Sequence, residues 1–241
     1  MNTEKQGQTG QPTFDSPVLY AIPTPLGGTP AEALPASAIE TIKTLKDFMV
    51  ENAKGARAFL GALGMPVREL NIKVIGEEAD GLAPLREKRS LGLLSEAGCP
   101  AIADPGAALI EAAHREGFRV VPLVGPSSVV LALMASGLEG QRFAFCGYLP
   151  REDAERKRRI RELEQRSRKE RETQIFIETP YRNEVLLSAL LEVCGPNTRL
   201  CVAADLTLAS ETVTTKLVGE WRRARASIGR RPAVFLIQTT P

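Results

Sequence analysis

Short apolar runs bounded by glycine and proline alternate along this chain with stretches whose apolar residues recur every three or four positions. The first pattern reads as buried strand, the second as helix with one face turned inward. Val18-Leu19-Tyr20-Ala21-Ile22 is a strand closed by Pro23-Thr24-Pro25-Leu26-Gly27-Gly28. Helical spacing follows over residues 38–48, then a short strand at 48–50 and a helix over 56–63 that Gly64 terminates.

The next stretch carries both periods most clearly. Residues 90–94 form a strand, 95–106 a loop, and 107–116 a helix with Gly117 where a left-handed cap belongs. A strand over 118–124, the turn Gly125-Pro126-Ser127-Ser128 and an apolar helix over 129–136 complete the run. This order predicts a parallel sheet with crossover helices. A polar, Gly-rich bridge follows, then an edge strand over 142–147 and a long charged helix over 151–172, with ten lysines and arginines against seven acids. Further strands fit 174–177, 200–203, 211–217 and 233–238, with a helix over 183–194. The fold class is therefore α/β. A tail at 1–17, expected to be mobile for want of apolar periodicity, precedes an N-terminal α/β domain over 18–138 and a C-terminal one over 139–241.

Composition narrows the chemistry. Four cysteines without a C-x-x-C pair and a single histidine, His114, leave no zinc finger, no disulfide framework and no histidine triad, so no metal is expected. The polar N-terminus and short apolar runs contain neither signal peptide nor membrane span, which predicts a cytoplasmic protein. A net charge of +2 gives no overall pull toward nucleic acid, so charge placement has to decide.

Three strand exits are rich in Gly, Pro and small hydroxyl residues: 23–28, 95–106 and 125–128. Ligands of open parallel sheets settle beyond the carboxyl ends of the strands. Glycine admits close backbone approach there, and proline stiffens the loop. The chain has no P-loop and no dinucleotide fingerprint. The loops form a main-chain cradle suited to an amino-acid tail, a ribose and an adenine rather than to a triphosphate. Tight turns with no ligand are the competing explanation for each loop taken alone.

Six blocks then resemble the tetrapyrrole methylase superfamily, and within it the branch of 16S ribosomal RNA cytidine 2′-O-methyltransferases. They are Ile22-Pro23-Thr24-Pro25-Leu26-Gly27, residues 94–106, residues 121–128, Phe145-Cys146-Gly147-Tyr148-Leu149-Pro150-Arg151, residues 175–182, and Ala203-Ala204-Asp205-Leu206-Thr207 with Glu211-Thr212. The resemblance runs over about 18–240. It implies two α/β domains, the first with a mostly parallel sheet and the second with a mixed one. It further implies a homodimer, with S-adenosylmethionine in a cleft between the domains. Carried over by position, Pro25, Leu26, Ala97, Gly98, Ile102, Ser127 and Ser128 would line the cofactor from the first domain, and Glu178, Ala203 and Leu206 from the second. Ser127 and Ser128 also suit the cap of the helix that follows.

A ribose hydroxyl is a poor nucleophile, so a base or charge stabilisation is expected, worth about 10²–10⁴-fold. The candidates are Glu51, Lys54 and Asp104, with Glu96 beside them; Glu96 or Asp104 holding loop amides is the plainer alternative. Where the rRNA branch carries an acidic-acidic-Thr-Arg motif this chain has Glu51-Asn52-Ala53-Lys54, and the histidine-bearing strand of that branch is replaced by residues 73–78 without histidine. Basic clusters at 156–161 and 222–231 point to an RNA partner, with Arg158, Arg161 and Arg182 as phosphate contacts. A solvated helix face laced with ion pairs explains the first cluster equally well. A tetrapyrrole C-methyltransferase and a non-catalytic protein binding RNA or S-adenosylmethionine are the competing functions.

Overall fold

The computed structural model describes residues 16–77, 80–224 and 227–239. In chain order its elements are β1 (Val18–Ile22), α1 (Pro30–Ala33), α2 (Ala36–Lys43), β2 (Asp47–Val50), α3 (Ala53–Ala62), β3 (Asn71–Val74), α4 (Ala83–Arg86), β4 (Leu91–Leu94), α5 (Ala107–Arg115) and β5 (Arg119–Pro122). Then come α6 (Ser128–Ser136), β6 (Phe143–Tyr148), α7 (Asp153–Glu170), β7 (Thr173–Glu178), α8 (Asn183–Val193), β8 (Arg199–Ala204), β9 (Thr212–Leu217), α9 (Val218–Ala224) and β10 (Ala233–Gln238). Two compact units result: the described residues up to Pro23 with Pro35–Val124, and Thr24–Leu34 with the described residues from Gly125 onward.

In the first unit all strand pairs are parallel, in the order β3-β2-β4-β1-β5. Every residue of β2 and β4 is buried, as expected of strands covered on both faces. Gly92 lets them close up, because a Cβ there would stand 2.6 Å from Cδ1 of Phe48 and 2.9 Å from Cδ1 of Ile22. Leu19, Met49, Leu85 and Leu93 anchor the core beneath α4 and α5. The parallel order places the carboxyl ends of β1, β2, β4 and β5 along one edge of the sheet, and the loop 95–106 leaves from the third of these.

The second unit holds a mixed sheet, β6-β7-β10-β8-β9, parallel only between β6 and β7. Phe176 and Phe235, directly paired across β7 and β10, are wholly buried with parallel rings 6.2 Å apart. One core lies between this sheet and α7, α8 and α9, and a second holds Val129, Ala132 and Leu133 of α6 against Cys201, Ala203 and Val234.

Besides shifts of element ends and the unforeseen β3, two expectations differ from these findings. Residues 44–48 are not helical: α2 ends at Lys43, Thr44 turns the chain with its hydroxyl donating to the carbonyl of Thr41 at 2.7 Å, and Asp47 and Phe48 open β2. Leu45 and Phe48 fit either period, and the decision falls to Asp47, whose buried carboxylate accepts from Nε of Arg89 at 2.9 Å and Nδ2 of Asn71 at 3.0 Å. Second, the sequence placed the domain boundary at 138/139, whereas α6 and residues 24–34 belong with the second unit. The cause is packing: α6 and Leu26 cover the second sheet, and Gly27 lies so close to Leu208 that a Cβ would stand 2.5 Å from its Cδ2. The tail 1–17 falls almost entirely outside the described residues.

Candidate functional site

The loop 95–106 starts where β4 ends and is held from β2. Glu51 sits just past β2, its amide donating to the carbonyl of Leu94 at 3.1 Å, and its carboxylate accepts from the amide of Glu96 at 3.1 Å. Gly98 and Gly106 lie in the left-handed region at φ 79° and 129°, which glycine adopts without strain. Ala101 and Ala103, at φ 65° and 66°, have no such licence. Positive φ at an ordinary residue costs about 1–3 kcal/mol and clusters at functional sites. Ile102, between the two alanines, is 49% exposed. The loop thus exposes Ala97, Ile102 and Ala103, and residues 95–106 contain no lysine or arginine.

Of the residues expected in catalysis, Asp104 and Glu51 come together while Lys54 stands apart in the first turn of α3. Burial, then the charges of Glu51 and Glu96, push the carboxyl of Asp104 up; a hydrogen bond from Ser95 opposes them. The thiol of Cys99 is raised too, first by burial and then by Asp104. Glu51 is seen to hold a loop amide, that of Glu96. Asn52 caps α3, its side chain accepting from the amides of Lys54 and Gly55 at 2.9 and 3.1 Å.

A carboxyl raised in the folded state releases its proton there later than in the unfolded chain. Its cost to stability is absent below the ordinary carboxylate range and grows as pH rises toward the folded value. Asp104→Asn is therefore expected to raise the melting temperature at neutral pH, with the gain vanishing in acid. A gain equally large in acid would show that ionisation of Asp104 is not the cause.

The second unit carries the remaining candidates. Leu26 packs against the cluster containing Val129, Ala203 and Leu206. Ser127 caps α6, its Oγ accepting from the amide of Val130 at 3.4 Å, so this expected role is seen directly. Leu206 lies between Asp205 and Thr207, at φ 54° and 73°, a second pair of strained residues at a strand exit. The amide of Thr207 donates to Glu211 at 2.7 Å. Glu178, buried at the end of β7, accepts from the amide of Thr179 at 2.8 Å and faces Nε of Arg182 at 3.3 Å. Pro25 and Ser128 are half-buried. The sequence missed the φ values of Ala101, Ala103, Asp205 and Thr207, since neither alanine nor threonine signals such a conformation.

The basic clusters are in part structural, while Arg223 and Arg230 are exposed. Arg156 is buried and donates to the carbonyl of Arg151 at 2.8 Å, and Lys157 bridges Asp153 and Glu192 at 3.0 and 2.8 Å. Arg222 closes α8 through the carbonyls of Leu191 and Cys194, and Arg231 binds Ile228 and Thr212. Arg182 is occupied by Glu178. Arg158 faces Glu162 at 3.8 Å, and Arg161 is exposed on α7; Arg225 lies outside the described residues. The described residues include no group of three metal-ligating side chains and no helix long and apolar enough to cross a membrane.

The two α/β units have counterparts among known proteins. Residues 19–221 match the tetrapyrrole (corrin/porphyrin) methylases, and this chain belongs to that family. It is 31% identical over 210 residues to the ribosomal RNA small subunit methyltransferase I of Halalkalibacterium halodurans, an alignment covering 86% of this chain and 70% of that protein. Among solved structures it is similar to a uroporphyrin-III-C-methyltransferase from Thermus thermophilus, with TM-score 0.56 and 21% identity over 92% of this chain and 94% of that one. The methyltransferase CobJ is also similar, with TM-score 0.60 and 17% identity over 93% and 94% of the two chains. These two share the fold.

Proposed function

We propose that this protein is an S-adenosylmethionine-dependent methyltransferase that methylates a ribose 2′-hydroxyl of small-subunit ribosomal RNA. The loop 95–106 carries the reading: a strained turn at a parallel strand exit, with Ala97 and Ile102 exposed, free of cations and backed by carboxylates. This donor set suits a ligand bearing positive charge and no phosphate, which fits the sulfonium and α-ammonium groups of S-adenosylmethionine. In the first unit Ala97, Gly98 and Ile102 would hold it. In the second unit, taken by itself, the segments at Leu26, Ser127–Ser128 and Ala203–Leu206 carry no cation, and the carboxylate of Glu178 is buried. When bound, this cofactor supplies a methyl group activated on sulfur.

The chain's own residues then have two tasks. Alignment of the ribose oxygen falls to the rigid loop, and effective molarity from alignment removes about 7–11 kcal/mol of a barrier in the best cases. Asp104 takes the proton of the attacking hydroxyl; burial and its acidic neighbours raise its proton affinity and so its strength as a base. Glu51 positions the loop through the amide of Glu96. The RNA substrate is supported by the ribosomal relatives.

Tritiated S-adenosylmethionine offered with unmodified small-subunit RNA, and in parallel with uroporphyrinogen, tests the reading. Label in RNA, alkali-resistant at one linkage, is expected. Label in the tetrapyrrole alone, or in neither, would overturn it.

A further inference from the structure

With the clusters at 156–161 and 222–231 partly engaged within the protein, an RNA substrate can also meet cations elsewhere. The first unit provides them on α3. Its ten residues contain Lys54 and Arg57 and no acid. Residues 54, 57 and 61 succeed one another by three and four, so they form one stripe along the helix. Lys54, Arg57 and Gly61 are all exposed. The 3-10 turn Val67–Glu69 packs beside the same stripe, because a Cβ on Gly61 would lie 3.6 Å from Cγ2 of Val67. That turn brings the exposed Arg68 next to it. None of Lys54, Arg57 and Arg68 forms an ion pair with a described residue, in contrast to Arg86 and Arg89, each tied to two acids of the same unit. At Gly55 a Cβ would meet nothing within 4 Å, so the face around the cations is open.

Position adds the second argument. α3 begins two residues after Glu51, whose carboxylate holds the loop 95–106, and β2 and β4, which precede helix and loop, are directly paired at Val50 and Leu94. The strand ends that lead into the helix and into the loop are therefore about one strand spacing, roughly 5 Å, apart, and the stripe begins at Lys54, four residues beyond Val50.

We propose that Lys54, Arg57 and Arg68 form a phosphate-tracking stripe that docks the RNA substrate beside the loop 95–106. The partner is an RNA backbone, because unpaired cations at helical spacing give affinity without reading bases. The inference rests on the methyltransferase reading in one respect only, that the substrate is RNA.

The experiment measures binding of unmodified small-subunit RNA transcript by the full chain across a salt series. The wild type is compared with Arg57→Glu/Arg68→Glu and with Arg158→Glu/Arg161→Glu on α7. The α3 pair is expected to lose at least about tenfold in affinity at low salt, and its log–log salt slope to flatten by about 1.4–1.8, two phosphates' worth. Affinity for S-adenosylmethionine and the melting temperature should be unchanged. The α7 pair should lose less than the α3 pair. Should charge reversal disturb folding, Arg57→Gln/Arg68→Gln reads the same flattening with a smaller loss. Wild-type binding with an unaffected α3 pair would overturn the stripe and leave the RNA substrate standing. Failure of the wild type to bind RNA would overturn both.

Discussion

Gly98→Trp is expected to reduce binding of S-adenosylmethionine by more than about 100-fold while the chain still folds. Two effects add. At φ 79° any side chain meets the steric cost of the left-handed region, about 1–2 kcal/mol, which pushes the loop out of its shape. The buried Gly98 also stands between Ala97 and the turn at Ala101–Ala103, where an indole displaces the main chain assigned to the ligand. Equilibrium dialysis with labelled cofactor, alongside a thermal melt, reads both parts. Unchanged affinity in a folded variant would remove this loop from the site. A milder Gly98→Ala variant should fall between, since it adds the backbone cost without the bulk.

Phe235→Ala is expected to destabilise the second unit by about 3–5 kcal/mol. Phe235 has no exposed surface, lies on the middle strand β10 and stacks on Phe176. Removing the ring leaves a cavity in the core cluster, on a strand paired on both sides with β7 and β8, so it cannot close without disturbing the sheet. A drop of roughly 10 °C or more in the melting transition follows for a unit of this size. Circular dichroism at rising temperature checks it. A loss below about 1 kcal/mol would mean that the β7–β10 core relaxes around the gap, contrary to interior close packing.

The two predictions also separate what was legible in the sequence from what was not. The strand β1 was readable to the residue because Pro23 and the apolar run fix both its ends, and α5 to within one residue because Gly117 takes the left-handed cap, at φ 78°. The cap at Ser127 was readable for the same local reason. The fold class followed from the alternation of periods. By contrast, β3 is half polar and only four residues long, so it resembles loop, and its strand character comes from pairing with β2. The helix α6 is apolar on every side, which hides the direction it faces; only its partners Ala203 and Val234 assign it to the second sheet. Long-range polar contacts were invisible as well. The link from Glu51 to Glu96 spans 45 positions, and the engagement of Arg156, Arg222 and Arg231 by carbonyls turns an apparent nucleic-acid signature into structural support. Sequence shows charge, but not whether the charge is already satisfied.

Residues 51–54 divide three tasks among them. Glu51 places a carboxylate where the loop needs an acceptor, Asn52 supplies the helix cap, and Lys54 puts a cation at the head of the α3 stripe.

Calorimetric titration of the wild-type chain with S-adenosylmethionine tests the central claim most directly. Saturable binding, competed away by S-adenosylhomocysteine and lost in Gly98→Trp, is the predicted result. Absence of any binding by a folded wild-type protein would contradict the account.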